Sequence, residues 1–310
     1  MEENKELQTG VPSAENAETG KKKFFKRSFR DNLIVLYLLT FVLLLVGQIL
    51  GSFCEYVLFV RNTPALVTFI LYFETIGAWI IFLIYMLVIK KNRPILQTLW
   101  TKAKGNNVKF LLIGTLIGFA SNMFCILIAW LHKDIYLFRN NGTLLPCLLI
   151  FLAVFVQSSS EEMICRGFLY QRLRMGYKHP AVAIIGNSLF FGCLHLLNDG
   201  VTVLSFINIV VVGISFSLLV YYYDSIWAAM MFHTAWNFSQ SILFGLPNSG
   251  IVVPYSILGL DASTATDSFA YNVGFGIEGT VVADVVLILI VVLQILIGEK
   301  QKKKSVKEAG

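Results

Sequence analysis

Long apolar stretches separated by short polar segments run through most of the chain. Eight of them can be distinguished, and they approach the roughly 20 residues that a helix needs to cross ~30 Å of hydrocarbon. They cover residues 33–53, 65–89, 109–131, 144–173, 181–197, 201–222, 226–246 and 280–298. This pattern predicts an all-α fold, a polytopic membrane helical bundle of about eight transmembrane helices.

Lysine and arginine are unevenly distributed among the connecting segments. If the N-terminus is cytoplasmic, 22 of the 25 basic residues lie on the cytoplasmic side. The cytoplasmic segments are then residues 1–32, 90–109, 166–180, 223–225 and 299–310. Because cytoplasmic loops of membrane proteins are enriched in Lys and Arg, both termini are predicted to be cytoplasmic. The basic tails then serve as inner-surface anchors, and nucleic acid is not an expected partner.

Composition narrows the class of protein. The 310-residue chain is 56% hydrophobic and 14% charged, whereas a soluble domain carries about 25% charged residues. Its five cysteines are scattered and form no CxxC pair, so neither a disulfide framework nor a thiolate zinc site is indicated. We therefore expect a multi-pass protein of the plasma membrane, and the compact chain with basic tails favours a bacterial one.

Three regions follow from these patterns. Residues 1–32 are polar and basic and are predicted to form a disordered cytoplasmic tail, and residues 299–310 form a second basic tail. The transmembrane domain covers 33–298, with a core marked by polar residues at 144–246. The outer segment 247–279 is rich in Gly, Ser and Thr, and a loose connector is favoured over a lid there.

Polar residues within the apolar stretches are concentrated on three helices. Glu161 and Glu162 interrupt the fourth stretch, while His195 lies on the fifth. The seventh carries His233 and Asn237. An ionised side chain at mid-depth costs roughly 2.5 kcal/mol or more, so it persists where it faces the bundle interior and has partners.

Depth and spacing bring these groups together. Counted at ~1.5 Å per residue from the cytoplasmic ends, Glu161 lies ~15 Å and His195 ~16–21 Å deep. His233 and Asn237 lie ~12 and ~18 Å deep on the same scale, so all four are predicted to share one layer. Glu162 pairs with the arginine four residues later, which leaves Glu161, about 100° away, to face the histidines.

This set of groups suits hydrolysis of an amide bond, which needs an activated water and donors for the tetrahedral oxyanion. A carboxylate with a histidine can polarise the water, and a second histidine with an asparagine can donate to the oxyanion. Alternatively, Glu161, His195 and His233 could bind a divalent metal such as zinc, since two imidazoles and one carboxylate form a known catalytic ligand set.

Three motifs of the sequence resemble those of one protein family. They are E-E-x-x-x-R from Glu161 to Arg166, F-x-x-x-H from Phe191 to His195, and H-x-x-x-N from His233 to Asn237. Complete and in this order, they resemble the CPBP family, the CAAX-protease and bacteriocin-processing family of intramembrane proteases, which includes the Ras-converting enzyme. The resemblance covers residues 144–246 and implies an eight-helix membrane protease.

The resemblance also implies residue roles. In the family, the residues matching Glu161 and His195 act on the water, and those matching His233 and Asn237 bind the oxyanion. A supporting role falls to Glu162, Arg166 and Phe191. The family leaves metal use open, and the absence of an HExxH motif makes zincin-type binding unexpected.

The expected function is therefore an intramembrane endopeptidase that acts on membrane-associated peptides or protein tails. Its expected partners are the lipid bilayer and such a substrate, with water reaching the site from the cytoplasmic side. Bacterial members of the family are linked to peptide processing and bacteriocin self-immunity. Two alternatives stay open: a proton-coupled transporter that uses Glu74, Glu161 and the histidines as a relay, and a non-catalytic membrane scaffold or regulator.

Overall fold

A computed structural model of the chain describes residues 31–59, 61–140 and 142–309. The tail predicted at 1–32 lies outside these residues, except for Asp31 and Asn32. Within the described part, the fold is mostly helical, with one two-stranded antiparallel sheet. The predicted all-α membrane bundle is confirmed.

The α-helices are, in chain order, α1 (Leu33–Ser52), α2 (Pro64–Phe73), α3 (Ile76–Val88), α4 (Leu96–Leu99), α5 (Val108–Leu131), α6 (Leu144–Glu162), α7 (Tyr170–Gly176), α8 (Pro180–Leu194), α9 (Val203–Tyr223), α10 (Ile226–Asn237) and α11 (Val281–Ala309). The π-helical segments Met163–Leu169 and Phe238–Leu243 continue α6 and α10. Shorter 3₁₀ segments are Phe53–Phe59, Lys90–Ile95 and Ile277–Gly279, and the strands are β1 (Leu137–Arg139) and β2 (Leu258–Leu260).

Six helical stretches in the described residues are long and apolar enough to cross a membrane. They are Leu33–Val57, Pro64–Val88, Val108–Leu131, Leu144–Gly176, Val203–Tyr223 and Val281–Ser305. The other two predicted stretches are also helical: α8 is shorter, and α10 runs on into its π segment. The number of crossings and the orientation of the termini remain predictions.

The short link between the sixth and seventh stretches forms a tight hairpin of α9 and α10. Asp224 adopts a left-handed conformation with φ 50° and ends α9. The Ser225 side chain then accepts a hydrogen bond from the Ala228 N–H and caps α10. The turn sets the direction of α10, the helix that carries His233 and Asn237.

Two glycines one turn apart allow α5 to pack closely against α10. A Cβ added at Gly114 would lie 2.2 Å from the Ala228 carbonyl oxygen, and one at Gly118 would lie 2.2 Å from that of Phe232. Such small-residue contacts let transmembrane helices approach at the backbone. α5 thereby fixes one side of α10.

One end of the bundle, here called the basic face, is formed by residues 31, 90–109, 170–180, 221–225 and 299–309. Buried Asp31 pairs there with Arg172 and, at 2.6 Å, with Lys91. The Arg172 guanidinium also donates to the Asn92 side chain. These contacts join the start of α1, the segment after α3 and α7.

Two further contacts complete the basic face. The Lys104 N–H donates to the Asp224 carboxylate at 3.0 Å, and Lys302 Nζ donates to the Tyr221 hydroxyl at 2.8 Å. The segments that sequence analysis assigned to the cytoplasmic side therefore converge on one end of the described structure.

The opposite end is covered by residues 247–279, here called the cap. Its strand β2 pairs with β1, and the Ser268 hydroxyl donates to the Asp134 carboxylate at 2.5 Å. Asn198, just after α8, donates to the Ser249 carbonyl oxygen at 2.9 Å. The cap is thus anchored at several points, and the expectation of a loose connector is wrong.

Candidate active site

Two of the three motifs lie where an α-helix changes to a π-helix. α6 ends at Glu162 and α10 ends at Asn237, and in both cases the π segment begins at the next residue. π-helical turns inside α-helices are frequent at functional sites. Because α6 packs against α10, the two motifs face each other.

Glu161 presents one carboxylate oxygen to its own helix and the other to α10. Its Oε1 accepts a hydrogen bond from Gln157 Nε2 at 2.6 Å. Its Oε2 lies 3.8 Å from His233 Nε2 and has no hydrogen-bond partner among the described residues. The side chain is 24% exposed, whereas that of Glu162 is fully buried. The adjacent carboxylates therefore have different surroundings, as predicted.

Glu162 joins two cationic or potentially cationic groups. Its Oε1 accepts from Arg166 Nη1 at 3.0 Å and lies 3.1 Å from His233 Nδ1. The Arg166 guanidinium lies between the rings of Phe191 and Phe216, 4.6 and 5.0 Å from their centroids. The pairing of Glu162 with Arg166 is thus confirmed, and the contact with His233 was not anticipated.

His195 directly follows the last residue of α8. Its Nδ1 lies 2.9 Å from the Phe191 carbonyl oxygen. Because a carbonyl oxygen only accepts, Nδ1 carries the proton, and Nε2 of the neutral ring keeps a lone pair. The Phe191 ring packs edge-on against both His195 and His233, with centroids 4.8 and 5.9 Å away.

Asn237 is held at both ends of its amide. Its Nδ2 donates to Gln157 Oε1 at 3.2 Å, and its Oδ1 accepts from Asn248 Nδ2 at 3.1 Å. Gln157 therefore orients both Glu161 and Asn237. The cap reaches the motif residues directly through Asn248.

A cavity of about 440 Å³ joins these groups. Its lining includes all four residues predicted to be catalytic, Glu161, His195, His233 and Asn237. Phe191 forms part of the wall, and the cap contributes Asn248 and Glu278. One acid, two imidazoles and one amide thus meet around one cavity.

Residues 143–239 match the family model described as type II CAAX prenyl endopeptidase Rce1-like. They form an Rce1-like region. The match confirms the resemblance stated above and includes all three motifs. Comparisons with curated proteins and with solved structures gave no match.

The exposed apolar part of the cavity lining lies away from the basic face. Its residues lie between the middle of the bundle and the cap: Phe41, Leu45, Leu71, Leu197 and Ile251. Toward the basic face, every residue from Glu162 to Leu173 is buried. This segment, on the side from which water was expected to enter, is therefore packed, and the route of water stays a prediction.

The three candidate metal ligands do not form a metal site here. Among the described residues, no group of three His, Cys, Asp or Glu side chains is arranged to hold a metal ion. Both histidines use Nδ1 for a protein partner, His195 toward the Phe191 carbonyl and His233 toward Glu162, which leaves Nε2 of each ring as the nitrogen that a metal would take. The alternative ligand set of Glu161, His195 and His233 therefore stays a prediction, and the mechanism below uses no metal.

Four residues of the site were missed in the sequence: Gln157, Phe216, Asn248 and Glu278. Gln157 lies four residues before Glu161 on the same helix, so helical spacing alone could have found it. Phe216 stacks on His233 with centroids 5.3 Å apart but resembles any other apolar residue of its span. Asn248 and Glu278 lie in the cap, which has no periodic pattern.

Other polar residues within the bundle have separate environments. Glu74 lies at the break between α2 and α3 and lines the same cavity. Asn187 donates to Ser217 at 2.6 Å, and Asn208 donates to Asp284 at 3.0 Å. These two amides form interhelical hydrogen bonds, whereas Glu74 keeps the transporter alternative open to test.

Proposed function

We propose that the chain is an intramembrane endopeptidase that hydrolyses peptide bonds of membrane-associated peptides or protein tails. The proposal is carried by one observation: Glu161, His195, His233 and Asn237 converge on one cavity within the Rce1-like region. Peptide processing and bacteriocin self-immunity are the roles that the family resemblance suggests.

In this mechanism, Glu161 and His195 activate a water molecule. The Phe191 carbonyl keeps the proton of His195 on Nδ1, so Nε2 has a lone pair available for a water proton. The free Oε2 of Glu161 can accept a hydrogen bond from the same water. Its oxygen adds to the scissile carbonyl carbon, and the proton removed is later given to the leaving amine nitrogen.

His233 and Asn237 stabilise the oxyanion formed by this attack. Asn237 Nδ2 carries two N–H donors: one serves Gln157 at 3.2 Å, and the other has a long contact of 3.5 Å with the Ser158 hydroxyl oxygen, which the oxyanion would replace. His233 donates through Nδ1 to Glu162, so it donates to the oxyanion when Nε2 is protonated as well. Carboxylates 3.1 and 3.8 Å away, on Glu162 and Glu161, are the counter-charges of that form.

The remaining motif residues keep His233 in position. Arg166 holds Glu162, and Glu162 holds the imidazole. The ring of Phe191 packs against the Arg166 guanidinium and against both histidines. We assign these three side chains a positioning role.

The test is mass spectrometry of membrane peptides from cells that produce the wild-type chain or Glu161→Gln. The glutamine keeps the shape of the side chain and loses the charge, so products should disappear while the protein accumulates normally. Addition of a chelator to the wild-type membranes checks metal use in the same experiment. Equal peptide patterns from the two chains would contradict the proposal.

Glu74→Gln is the matched control, because it neutralises another carboxylate that lines the same cavity. A protease of the proposed mechanism retains its products in this variant. A transporter that relays protons through both acids loses solute movement in Glu74→Gln as fully as in Glu161→Gln, and cleaves nothing. A scaffold keeps its phenotype in both variants.

A further inference from the structure

The mouth of the cavity lies on the cap side of the bundle. Leu197, just after α8, is 96% exposed, and Ile251 of the cap is 49% exposed. On α1, which begins at the basic face, Phe41 and Leu45 line the cavity ~12 and ~18 Å above Leu33. The opening therefore extends from mid-depth toward the cap.

The half of the bundle below the cavity is closed. Buried Arg166, Phe168 and Leu169 have 0% relative exposure, and they belong to the π segment directly below Glu161. Leu99 of α4 packs under this segment, where a Cβ at Gly167 would lie 2.9 Å from its side chain. A peptide therefore has no path to Glu161 through these residues.

The charge distribution assigns the two ends of the bundle to different sides of the membrane. The basic face collects the connecting segments rich in Lys and Arg, whereas only Arg61, Lys133 and Arg139 lie outside the predicted cytoplasmic segments. Basic segments stay on the cytoplasmic side. The cap and the mouth of the cavity then lie on the opposite side.

We propose that the site takes its substrate from the non-cytoplasmic side: a peptide or protein segment anchored in the outer leaflet, rather than a cytoplasmic tail. This inference rests on the proposed function and adds its substrate class. The exposed apolar lining residues, here called the rim, would hold the anchored part, while the polar interior holds the scissile bond. The rim is formed by Phe41, Leu45, Leu71, Leu197 and Ile251. Most of the rim and the whole cap lie outside the matched residues 143–239, so the family match does not determine the direction of opening.

A native thiol allows the direction of opening to be measured without a substrate. Cys193 is exposed and lines the cavity. A membrane-impermeant maleimide added to intact cells should label the wild-type chain more than Cys193→Ser. In sealed inverted membrane vesicles, this difference should vanish.

A second reporter on the basic face gives the matched control. Lys102 is exposed on that face, so Lys102→Cys in the Cys193→Ser background should be labelled more than Cys193→Ser alone in sealed inverted vesicles, and no more than Cys193→Ser alone in intact cells. Three outcomes would overturn the inference. Cys193 could be labelled only in sealed inverted vesicles, equally in both preparations, or in neither.

Cleavage supplies the second measurement. The probe is an N-palmitoylated, quenched fluorescent peptide library. The quantity compared is the cleavage rate of the wild type minus that of Glu161→Gln. Spheroplasts should cleave it at least 10-fold faster than sealed inverted vesicles, and detergent should remove this difference. Faster cleavage by the sealed inverted vesicles would overturn the inference and leave the protease proposal intact.

The two proposals fail in different ways. If the rate is zero even in detergent, the proposed function fails, and the substrate class fails with it. In that case the maleimide experiment still decides from which side the cavity opens. If cleavage occurs but Cys193 is reached only from the basic side, the protease stands and the outer-leaflet substrate is rejected.

Discussion

The two ends of the bundle are built from different interactions. At the basic face, buried ionic contacts converge on Asp31 and join three distant segments. At the cap, most contacts are neutral hydrogen bonds, and one of them ends on Asn237 within the site. The basic face therefore closes the bundle, whereas the cap both covers the cavity and orients a group in it.

From this difference we expect substitutions at the two ends to change different properties, the stability of the fold at one end and turnover at the other. Buried ion pairs are costly to break, because the partner that remains is a buried charge. A neutral hydrogen bond contributes only about 0.5–1.5 kcal/mol, but near the reacting groups that amount is enough to change a rate. Substitutions at the basic face should thus lower stability, and those at the cap should lower turnover.

The largest effect is expected for Asp31→Ala. Loss of the Asp31 carboxylate leaves the buried Arg172 guanidinium without its anionic partner, so the free energy of unfolding should fall by about 3 kcal/mol or more. Thermal unfolding in detergent measures this loss, and the turnover per folded molecule should not change. Lys91→Ala is the control, because its partly exposed ammonium should contribute about 1 kcal/mol or less. Equal losses from both variants would show that the pair is not effectively buried.

Asn237→Ala should reverse this pattern. Loss of an oxyanion donor costs on the order of 100-fold or more in turnover, while the fold keeps its packing. The rate of cleavage in detergent measures the effect. Asn187→Ala removes another buried amide with an interhelical hydrogen bond and should leave turnover within about twofold. Wild-type turnover by Asn237→Ala would refute the oxyanion role.

Asn248→Ala tests whether the cap orients the site. It removes the donor to Asn237 Oδ1 and leaves the Asn237 amide held at Nδ2 alone, so turnover should fall about 10-fold, consistent with loss of one hydrogen bond. The effect should appear in kcat more than in KM. Asn140→Ala removes a different amide contact to the cap, with Ser256, and should leave kcat unchanged. A cap that only covers the cavity would give equal, small effects for both.

Much of the helical architecture could be predicted from the sequence because lipid imposes a simple rule. Each span must be apolar over a length fixed by the bilayer, so spans are visible as uninterrupted runs. The pairing of Glu162 with Arg166 followed from helical spacing, and the shared layer of Glu161 and His195 followed from counting rise per residue. These are local or one-dimensional properties.

The cap and the direction of the opening could not be predicted in the same way. Ser249 contacts Asn198, which is 51 residues away, Asn248 contacts Asn237 across the end of the π segment, and no periodic pattern marks either contact. The closure below Glu161 depends on how α4 packs against the π segment, since the sequence does not give side-chain packing between helices. The lysine distribution predicted the orientation of the bundle but not the end from which its cavity is reached.

The smallest effect concerns Glu278, the buried carboxylate of the cap. Its carboxylate accepts hydrogen bonds from Trp236, Gln240 and the Ser249 N–H, but burial raises its pKa above the ordinary value of 4.5. Because the folded state then binds the proton more tightly than the unfolded state, the stability that Glu278 contributes is present at low pH and is lost as pH rises through the raised pKa. Hydrogen exchange of residues 247–279, corrected for intrinsic rates, should show weaker protection at pH 8 than at pH 5. Glu278→Gln, neutral throughout, should reduce this pH dependence, and an unchanged dependence would assign the titration to another group.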